Sequence, residues 1–537
     1  MKVLRSFARI IYTRAPRARA SNMLSRRTSI RRLIPVAACL ILTWTASGCQ
    51  GGADLGAACD TQSDCADELQ CFDGVCVPQC TRHTDCGDGH ICRADGVCEV
   101  VESTVGHACD REMDCGPGQA CVLDAEDIDG NGLLTSSCQL EAPGGVLDST
   151  CRADADCRMG TCVIGRCVSL CVADEDCPVS HRCTIMPREL SPTETASFYG
   201  CLPARGNIVY DIPFTLPYQR FFLPVPGRAR SVALVAEIDD PAQLVGVGSV
   251  KAPDGTELYV LPPSADSDEY FANPVRSFPT PAVSTLVLPQ TAEDDALVPG
   301  AYQIELGSYR GIPEPQGTDV PRVTAIYKLD DTATLDVHFY FLDLADHPCV
   351  DEMGGETLDA TSAQVATGGF QTEFLRELNV IFARAGIVVG NVTYEDVAPK
   401  RPDLDGLDAS RLGDLLALSN RDGGASVFFT RTISPAGLQT LAGGPPGPPG
   451  VAGTRASGIA VSAATLCYRS WTQLARTTAH ELARSLGLQR SVEPDGHLDA
   501  LIDTDDTPQN LMYFSESGGT NLSLGQRQVL RVSPAMR

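Results

Sequence analysis

The sequence lacks a hydrophobic run long enough to cross a membrane as a helix. The apolar run from Leu33 to Thr45 has 13 residues, whereas a membrane-spanning helix needs about 20. Positive charge is scarce after residue 48, because ten of the 42 Lys and Arg fall before that point. Without that segment the net charge would change from −26 to −36. Such an acidic surface argues against nucleic acid as a partner and favours solubility.

CxxC pairs are also absent from residues 58–201, which argues against zinc ribbons in this cysteine-rich region. The cysteines instead recur in groups of four, and Asp precedes the second Cys in SDC, TDC, MDC, ADC and EDC. The five groups are 59, 65, 71 and 76; 80, 86, 92 and 98; 109, 115, 121 and 138; 151, 157, 162 and 167; and 171, 177, 183 and 201. Modules this small need cross-links, so we expect two disulfides in each, contributing about 2–4 kcal/mol apiece. Four cysteines allow three pairings, and the spacing does not choose between them.

The number of cysteines indicates an oxidising compartment. The chain has 24 Cys in 537 residues, which is heavy use of a residue that reducing compartments do not let pair. Two of them, Cys39 and Cys49, lie at the N-terminus outside the modules. Leaving these two aside gives an even number, as complete pairing requires.

The first 48 residues have the order of a secretory signal, with a basic segment, an apolar run and then small residues. Ala46-Ser47-Gly48 directly before Cys49 resembles the lipobox of bacterial lipoproteins. The resemblance implies a signal peptide at 1–48, a lipid on Cys49 and a linker at 49–57. The protein would then be exported and anchored to a bacterial membrane, at the outer membrane or cell surface. Free secretion is the alternative, and Met23 is a possible true start.

The third module contains an acidic insertion before its last cysteine. Asp127, Asp129 and Asn131 alternate and are followed by Gly132, as at the start of a calcium loop. The twelfth position of such a loop should be Glu but is Cys138. We therefore favour a solvated acidic turn and keep calcium as the alternative.

Residues 206–330 lack cysteine and consist of short β-branched and aromatic runs, such as RSVALVAEI and TELYVLPP, separated by Pro, Gly and Asp. This pattern predicts an antiparallel β-sandwich. Asp254-Gly255 between two runs predicts a hairpin turn. The chain as a whole is therefore expected to be multidomain, with small disulfide-rich repeats, an all-β sandwich and a C-terminal α/β domain.

Residues 333–537 show a mixed α/β order. The run TLDVHFYFLDL predicts a strand, and FQTEFLRELNVIFARAGI predicts a helix with one apolar face. Further strands in VVGNVTYEDV, ASVFFTRTI and SGIAVSAATL lead into a helix from about Trp471 to Leu486. Cys349 and Cys467 are the only cysteines here and are expected to pair.

The last predicted helix reads TTAHELARSLGLQR and is followed by NLMY at 510–513. This arrangement resembles the HExxHxxGxxH and Met-turn signature of the metzincin zinc metalloproteases, closest to the pappalysin type. The resemblance implies a zinc ligand at His480, a general base at Glu481, a turn glycine at Gly487 and the Met-turn residue at Met512. Arg484 and Arg490 stand where the other two His ligands belong.

Arginine cannot replace these ligands, because its guanidinium is always protonated and has no lone pair to share. Positions 480 and 484 share one helix face, and Gly487 can turn position 490 back towards it. We therefore expect no zinc site, and expect Arg484 and Arg490 to pair with Glu481 and Glu493. A rebuilt site using His497 and nearby carboxylates is the alternative.

These observations predict a lipid-anchored surface protein that resembles a metzincin but is inactive, and that binds a protein or peptide ligand. No cofactor is expected in that case. An active zinc metalloendopeptidase with non-standard ligands and a passive surface stalk are the two alternatives.

Overall fold

The computed structural model describes residues 56–65, 69–72, 74–78, 90–92, 98–100, 104–191, 194–289, 297–312, 316–344, 347, 349–353, 355–514 and 519–537. The predicted signal peptide and Cys49 lie outside these residues. The described part is mostly β, with 26 strands and six α-helices. None of its helices is long and apolar enough to cross a membrane.

Each module of the cysteine-rich region is built around a β-hairpin, and in the first, third, fourth and fifth modules a single 3-10 turn precedes the hairpin. The turns are Gln62–Asp64, Glu112–Asp114, Asp154–Asp156 and Asp174–Asp176. The strands are β1 Leu69–Phe72, β2 Val75–Pro78, β3 His90–Cys92, β4 Cys98–Val100, β5 Gln119–Ile128, β6 Leu134–Leu140, β7 Cys162–Val163, β8 Arg166–Cys167, β9 His181–Ser191 and β10 Glu194–Pro203.

The disulfides join the first cysteine of a module to the third and the second to the fourth. The pairs are 59–71 and 65–76, 109–121 and 115–138, 151–162 and 157–167, and 171–183 and 177–201. This confirms the prediction of a disulfide-rich region and selects one of the three possible pairings. Cys80 and Cys86 of the second module lie outside the described residues.

The Asp before the second cysteine has the same structural task in four modules. Its carboxylate accepts hydrogen bonds from the two backbone amides that open the 3-10 turn, as Asp64 does from Asp60 and Thr61 at 2.9 and 2.8 Å. Asp114, Asp156 and Asp176 repeat this arrangement. The repeated Asp-Cys motif is therefore a turn cap.

The region that follows is a two-sheet sandwich. Its elements are β11 Asn207–Ile212, β12 Tyr218–Val225, β13 Ser231–Glu237, β14 Leu244–Lys251, β15 Glu257–Val260, α1 Asp268–Ala272, β16 Thr280–Pro281, β17 Val283–Leu288, β18 Gly300–Tyr309 and β19 Arg322–Lys328. One sheet has the order β11-β19-β13-β17 and the other β12-β18-β14-β15, with β16 on β14. All these pairs are antiparallel, and Asp254-Gly255 lies in the turn between β14 and β15.

The sandwich shares its core with the last modules. Met186 and Phe198 of the β9–β10 hairpin belong to the same buried cluster as Leu223 and Ile304 of the sandwich. On the opposite side, Val235 of β13 packs in a cluster that includes Ala456 of the C-terminal region. β13 is therefore buried on both faces, which explains its continuous apolar sequence.

The C-terminal region is an α/β unit. Its elements are β20 Thr334–Phe341, a π-helix Phe370–Leu375, α2 Arg376–Arg384, β21 Val388–Asp396, α3 Pro402–Asp405, β22 Gly406–Asp408, α4 Leu412–Leu416, β23 Ala425–Thr430, β24 Thr432–Ser434, β25 Thr440–Ala442, β26 Ile459–Ser462, α5 Trp471–Ser485 and α6 Leu524–Val532. Three short 3-10 helices, Ser362–Gln364, Ala409–Arg411 and Ala463–Cys467, connect them.

Its main sheet has the order β21-β20-β23-β26-β25. The first four strands are parallel, and β25 alone runs antiparallel at the edge. An aromatic cluster of Phe339, Phe370, Phe374 and Trp471 packs the helices against one face of this sheet. Cys349 is fully buried and pairs with Cys467, as expected from the sequence.

Candidate functional site

The candidate site is built on α5, whose ends are fixed by local sequence. Ser470 caps the start, because its hydroxyl oxygen accepts a hydrogen bond from the Gln473 backbone amide at 3.3 Å, and the Gln473 side-chain Oε1 accepts one from the Ser470 backbone amide at 3.1 Å. At the other end Gly487 has φ +115°, a value that favours glycine. The amide of Leu488 donates to the Ala483 carbonyl at 3.0 Å, which closes the helix and redirects the chain.

A cavity of about 140 Å³ lies between α5 and the edge strand β25. Its lining residues come from three parts of the C-terminal region: Leu438, Thr440 and Leu441; Arg476, Thr477, His480, Glu481, Arg484 and Arg490; and Leu511, Phe514 and Gly519. Positions 480, 481, 484 and 490 therefore share one cavity.

His480 is held in one orientation by the backbone. Its Nδ1 is 2.6 Å from the carbonyl oxygen of Leu511; a carbonyl can only accept, so Nδ1 carries the proton. Burial lowers the pKa of His480, and the charges of Arg484 and Arg490 lower it further, against the opposing effects of Glu481 and the Leu511 hydrogen bond. The ring is therefore neutral at pH 7, and its Nε2 carries a lone pair.

The two arginines form local ion pairs. Arg484 Nη1 lies 3.1 Å from Glu481 Oε2, and Arg490 Nη1 lies 3.2 Å from Glu493 Oε2. The Glu481 side chain is only 9% exposed, so its carboxylate is compensated by Arg484 rather than by water. Glu481, which the resemblance implies as a general base, is therefore one partner of a partly buried ion pair.

The turn at 510–513 contributes Leu511 to the cavity lining and is held in place by hydrogen bonds. Met512 is fully buried, and its amide donates to the Asn510 side chain at 2.8 Å. Asn510 in turn bonds Gln526 of α6, and the Met512 carbonyl accepts from the amide of Ser491 at 2.9 Å. This chain of contacts fixes the segment that carries Arg490.

The donor set does not fit zinc. A tetrahedral site needs imidazole, thiolate or carboxylate ligands. The described residues that line the cavity offer one imidazole, one carboxylate already paired with Arg484, and guanidinium groups that carry no lone pair. In the described part of the chain, the only groups of three potential ligands are module cysteines, and these are disulfide-bonded.

The residues considered for a rebuilt site lie elsewhere. The His497 ring stacks on Phe271 of the sandwich with centroids 4.0 Å apart, and its Nδ1 is 3.0 Å from Asp495. The Asp503 carboxylate accepts from the Ser523 hydroxyl and the Gly525 amide at the start of α6. Neither residue lines the cavity around His480.

The acidic insertion of the third module forms a hairpin turn between β5 and β6. Asp129 Oδ1 accepts hydrogen bonds from the amides of Asn131 and Leu133 at 2.8 and 2.9 Å. These bonds lower the pKa of Asp129. The arrangement is that of an acidic turn, which uses one of the oxygens that a calcium loop would need.

Sequence reasoning missed two parts of the cavity. It assigned no strand to residues 440–442, but they form β25, the edge strand. It also passed over Arg476, which lines the cavity and whose Nε donates to Glu377 of α2 at 2.8 Å. Arg476 lies one turn before His480 on α5, so helical spacing alone could have indicated it.

A scan against protein-family models found no matching family for this chain, and a search of curated proteins found no match.

Proposed function

We propose that this chain is a lipid-anchored surface protein whose C-terminal region is a metzincin-like domain that binds an extended peptide without cleaving it. The observation that carries the proposal is the cavity in which His480 and Glu481 face Arg484 and Arg490 beside the edge strand β25. The disulfide-bonded modules support an oxidising location outside the cytoplasm.

The edge strand supports binding of an extended peptide. The Ser462 amide donates to the Gln439 carbonyl at 2.8 Å, and the Gly443 amide donates to the Gly458 carbonyl at 3.0 Å. Because bonded residues alternate in an antiparallel pair, Thr440 and Ala442 direct their backbone groups away from β26. No described strand occupies that side. A peptide could add there as another strand, with one side chain reaching the cavity.

The donor set supports the absence of cleavage. Metal-assisted hydrolysis requires an open coordination position on a metal that is held by several lone pairs. His480 supplies one such lone pair, and the Glu481 carboxylate is held by Arg484. The polar groups of the cavity are therefore suited to hydrogen-bonding a ligand rather than to metal-assisted hydrolysis.

The experiment combines metal analysis, a cleavage assay and a binding assay on the chain without residues 1–50, expressed with oxidised disulfides. We expect less than about 0.1 zinc per chain, because one imidazole is far from a tetrahedral ligand set, and no cleavage of a randomised peptide pool. Stoichiometric zinc, together with cleavage that disappears in Glu481→Gln, would overturn the proposal in favour of an active enzyme.

Binding is tested with Ala442→Pro, which removes an outward amide that an added strand would need. Proline is tolerated on an edge strand when its missing amide faces outward. We expect this variant to keep its thermal stability and to lose retention of the pool. Ala442→Val serves as the matched control, because it changes the same side chain but keeps the amide. If no peptide is retained by the unmodified chain, the remaining assignment is a passive stalk.

A further inference from the structure

We infer that the cavity between α5 and β25 is a carboxylate-binding site, which takes either the C-terminus or an Asp or Glu side chain of the bound peptide. This inference rests on the proposed function, since it names the chemical class of ligand for the same site. Three arginines line the cavity, Arg476, Arg484 and Arg490, whereas Glu481 is the only carboxylate among its described lining residues.

The first observation is that Arg484 and Arg490 have buried hydrogen-bond donors without a described acceptor. A guanidinium has five N–H donors, and both Arg484 and Arg490 use Nη1 for their glutamate partners. The Nε atoms of both side chains are buried and have no acceptor among the described residues. Buried donors without partners are costly, so a ligand with several acceptor oxygens would satisfy groups that the protein leaves unpaired.

The surrounding charge is the second observation. Arg484, Arg490 and Glu481 line the same cavity as His480, so two guanidinium groups and one carboxylate lie close to a ligand bound there. Each has one glutamate partner, Glu481 or Glu493, and Arg476 has Glu377. A carboxylate adds a single negative charge, and it matches the planar fork of a guanidinium with two oxygens.

The position of the cavity is the third observation. Thr440 and Leu441 of the edge strand belong to its lining, so a peptide added along β25 passes over its mouth. The volume of about 140 Å³ admits one carboxylate side chain or one chain end, but not a folded domain. Recognition of one acidic group on an extended backbone is what this geometry favours.

The test uses synthetic nonapeptide pools that are randomised without Asp or Glu and acetylated at the N-terminus. One arm ends in an amide and has no carboxylate, a second has a free C-terminus, and a third ends in an amide but has a fixed central Asp. The immobilised chain without residues 1–50 is exposed to each pool. We expect one of the two carboxylate arms to be retained at least about tenfold more than the neutral arm, a typical effect of a charge-assisted hydrogen bond. The arm that is retained identifies the source of the carboxylate.

The variants are chosen to keep the ion pairs balanced. Arg484→Gln is combined with Glu481→Gln, and Arg490→Gln with Glu493→Gln, so that no carboxylate is left buried alone. We expect both pairs to reduce the preference to below about twofold, while Arg531→Gln, which removes an exposed charge from α6, leaves it unchanged. Thermal melts establish that the variants fold.

Each outcome decides the question. If all three arms are retained equally and this retention is lost in Ala442→Pro, the carboxylate inference is overturned, but the proposed peptide binding stands. A preference that survives both double substitutions would also overturn it. Retention in none of the arms would contradict the proposed function, and the carboxylate inference with it.

Discussion

Removing the disulfide between Cys349 and Cys467 should selectively destabilise the C-terminal region. This bridge closes a loop with a sequence separation of 118 residues. Loop-closure entropy gives about 5 kcal/mol for a loop of that length. Residual structure in the unfolded chain reduces such values, so we expect Cys349→Ala/Cys467→Ala to lower the free energy of unfolding by about 3–5 kcal/mol.

The assay follows from tryptophan placement. The sequence contains only two Trp, at positions 44 and 471, so a chain without residues 1–50 has only Trp471. This residue begins α5 and is 8% exposed in the aromatic cluster. Its fluorescence during urea unfolding therefore reports on the C-terminal region alone.

The matched control is Cys151→Ala/Cys162→Ala, which opens a bridge with a separation of 11 residues in a different core cluster. We expect this variant to leave the Trp471 transition within about 0.5 kcal/mol of the unmodified chain, as for well-separated sites. A loss below about 1 kcal/mol for the Cys349 and Cys467 variant would refute the reasoning from loop closure.

Three further predictions concern other parts of the chain. Burial raises the pKa of Glu112 from 4.5 to about 7. Protonated Glu112 therefore stabilises the folded state most fully below pH 4.5, and this stabilisation is lost as the pH rises through 7. Glu112→Gln should therefore raise the melting temperature at pH 8 but not at pH 4.5, as calorimetry can check. Phe374→Ala, at a fully buried position, should cost about 3–5 kcal/mol in the Trp471 transition. Cys49→Ala should move the protein from the detergent phase to the aqueous phase in a phase-partition immunoblot.

Local sequence predicted the features of the site that depend on near neighbours. The sequence predicts a helix from about Trp471 to Leu486 with a turn at Gly487, and the structure adds the Ser470 and Gln473 capping box at its start. The ion pairs of Arg484 and Arg490 join residues three positions apart, a spacing that places side chains together on a helix or turn. Cysteine periodicity likewise predicted the disulfide-rich modules.

Features that depend on distant partners could not be predicted in this way. β25 has three residues in a segment rich in Gly and Pro, and it is a strand because it pairs with β26. His497, the histidine of the alternative metal site, stacks on Phe271 from another part of the chain. The choice of disulfide pairing was also open, because four cysteines allow three pairings and the sequence does not choose between them.

Restoring imidazoles at Arg484 and Arg490 tests the central claim most directly, since the proposal is that these two arginines stand where a metzincin carries its second and third zinc ligands. Zinc content should be measured for the unmodified chain and for Arg484→His/Arg490→His, with His480→Ala added to the double variant as the control. We expect less than about 0.1 zinc per chain without the substitutions, about one with them, and a loss of that zinc in the control. One zinc per unmodified chain that is lost in His480→Ala would contradict the account.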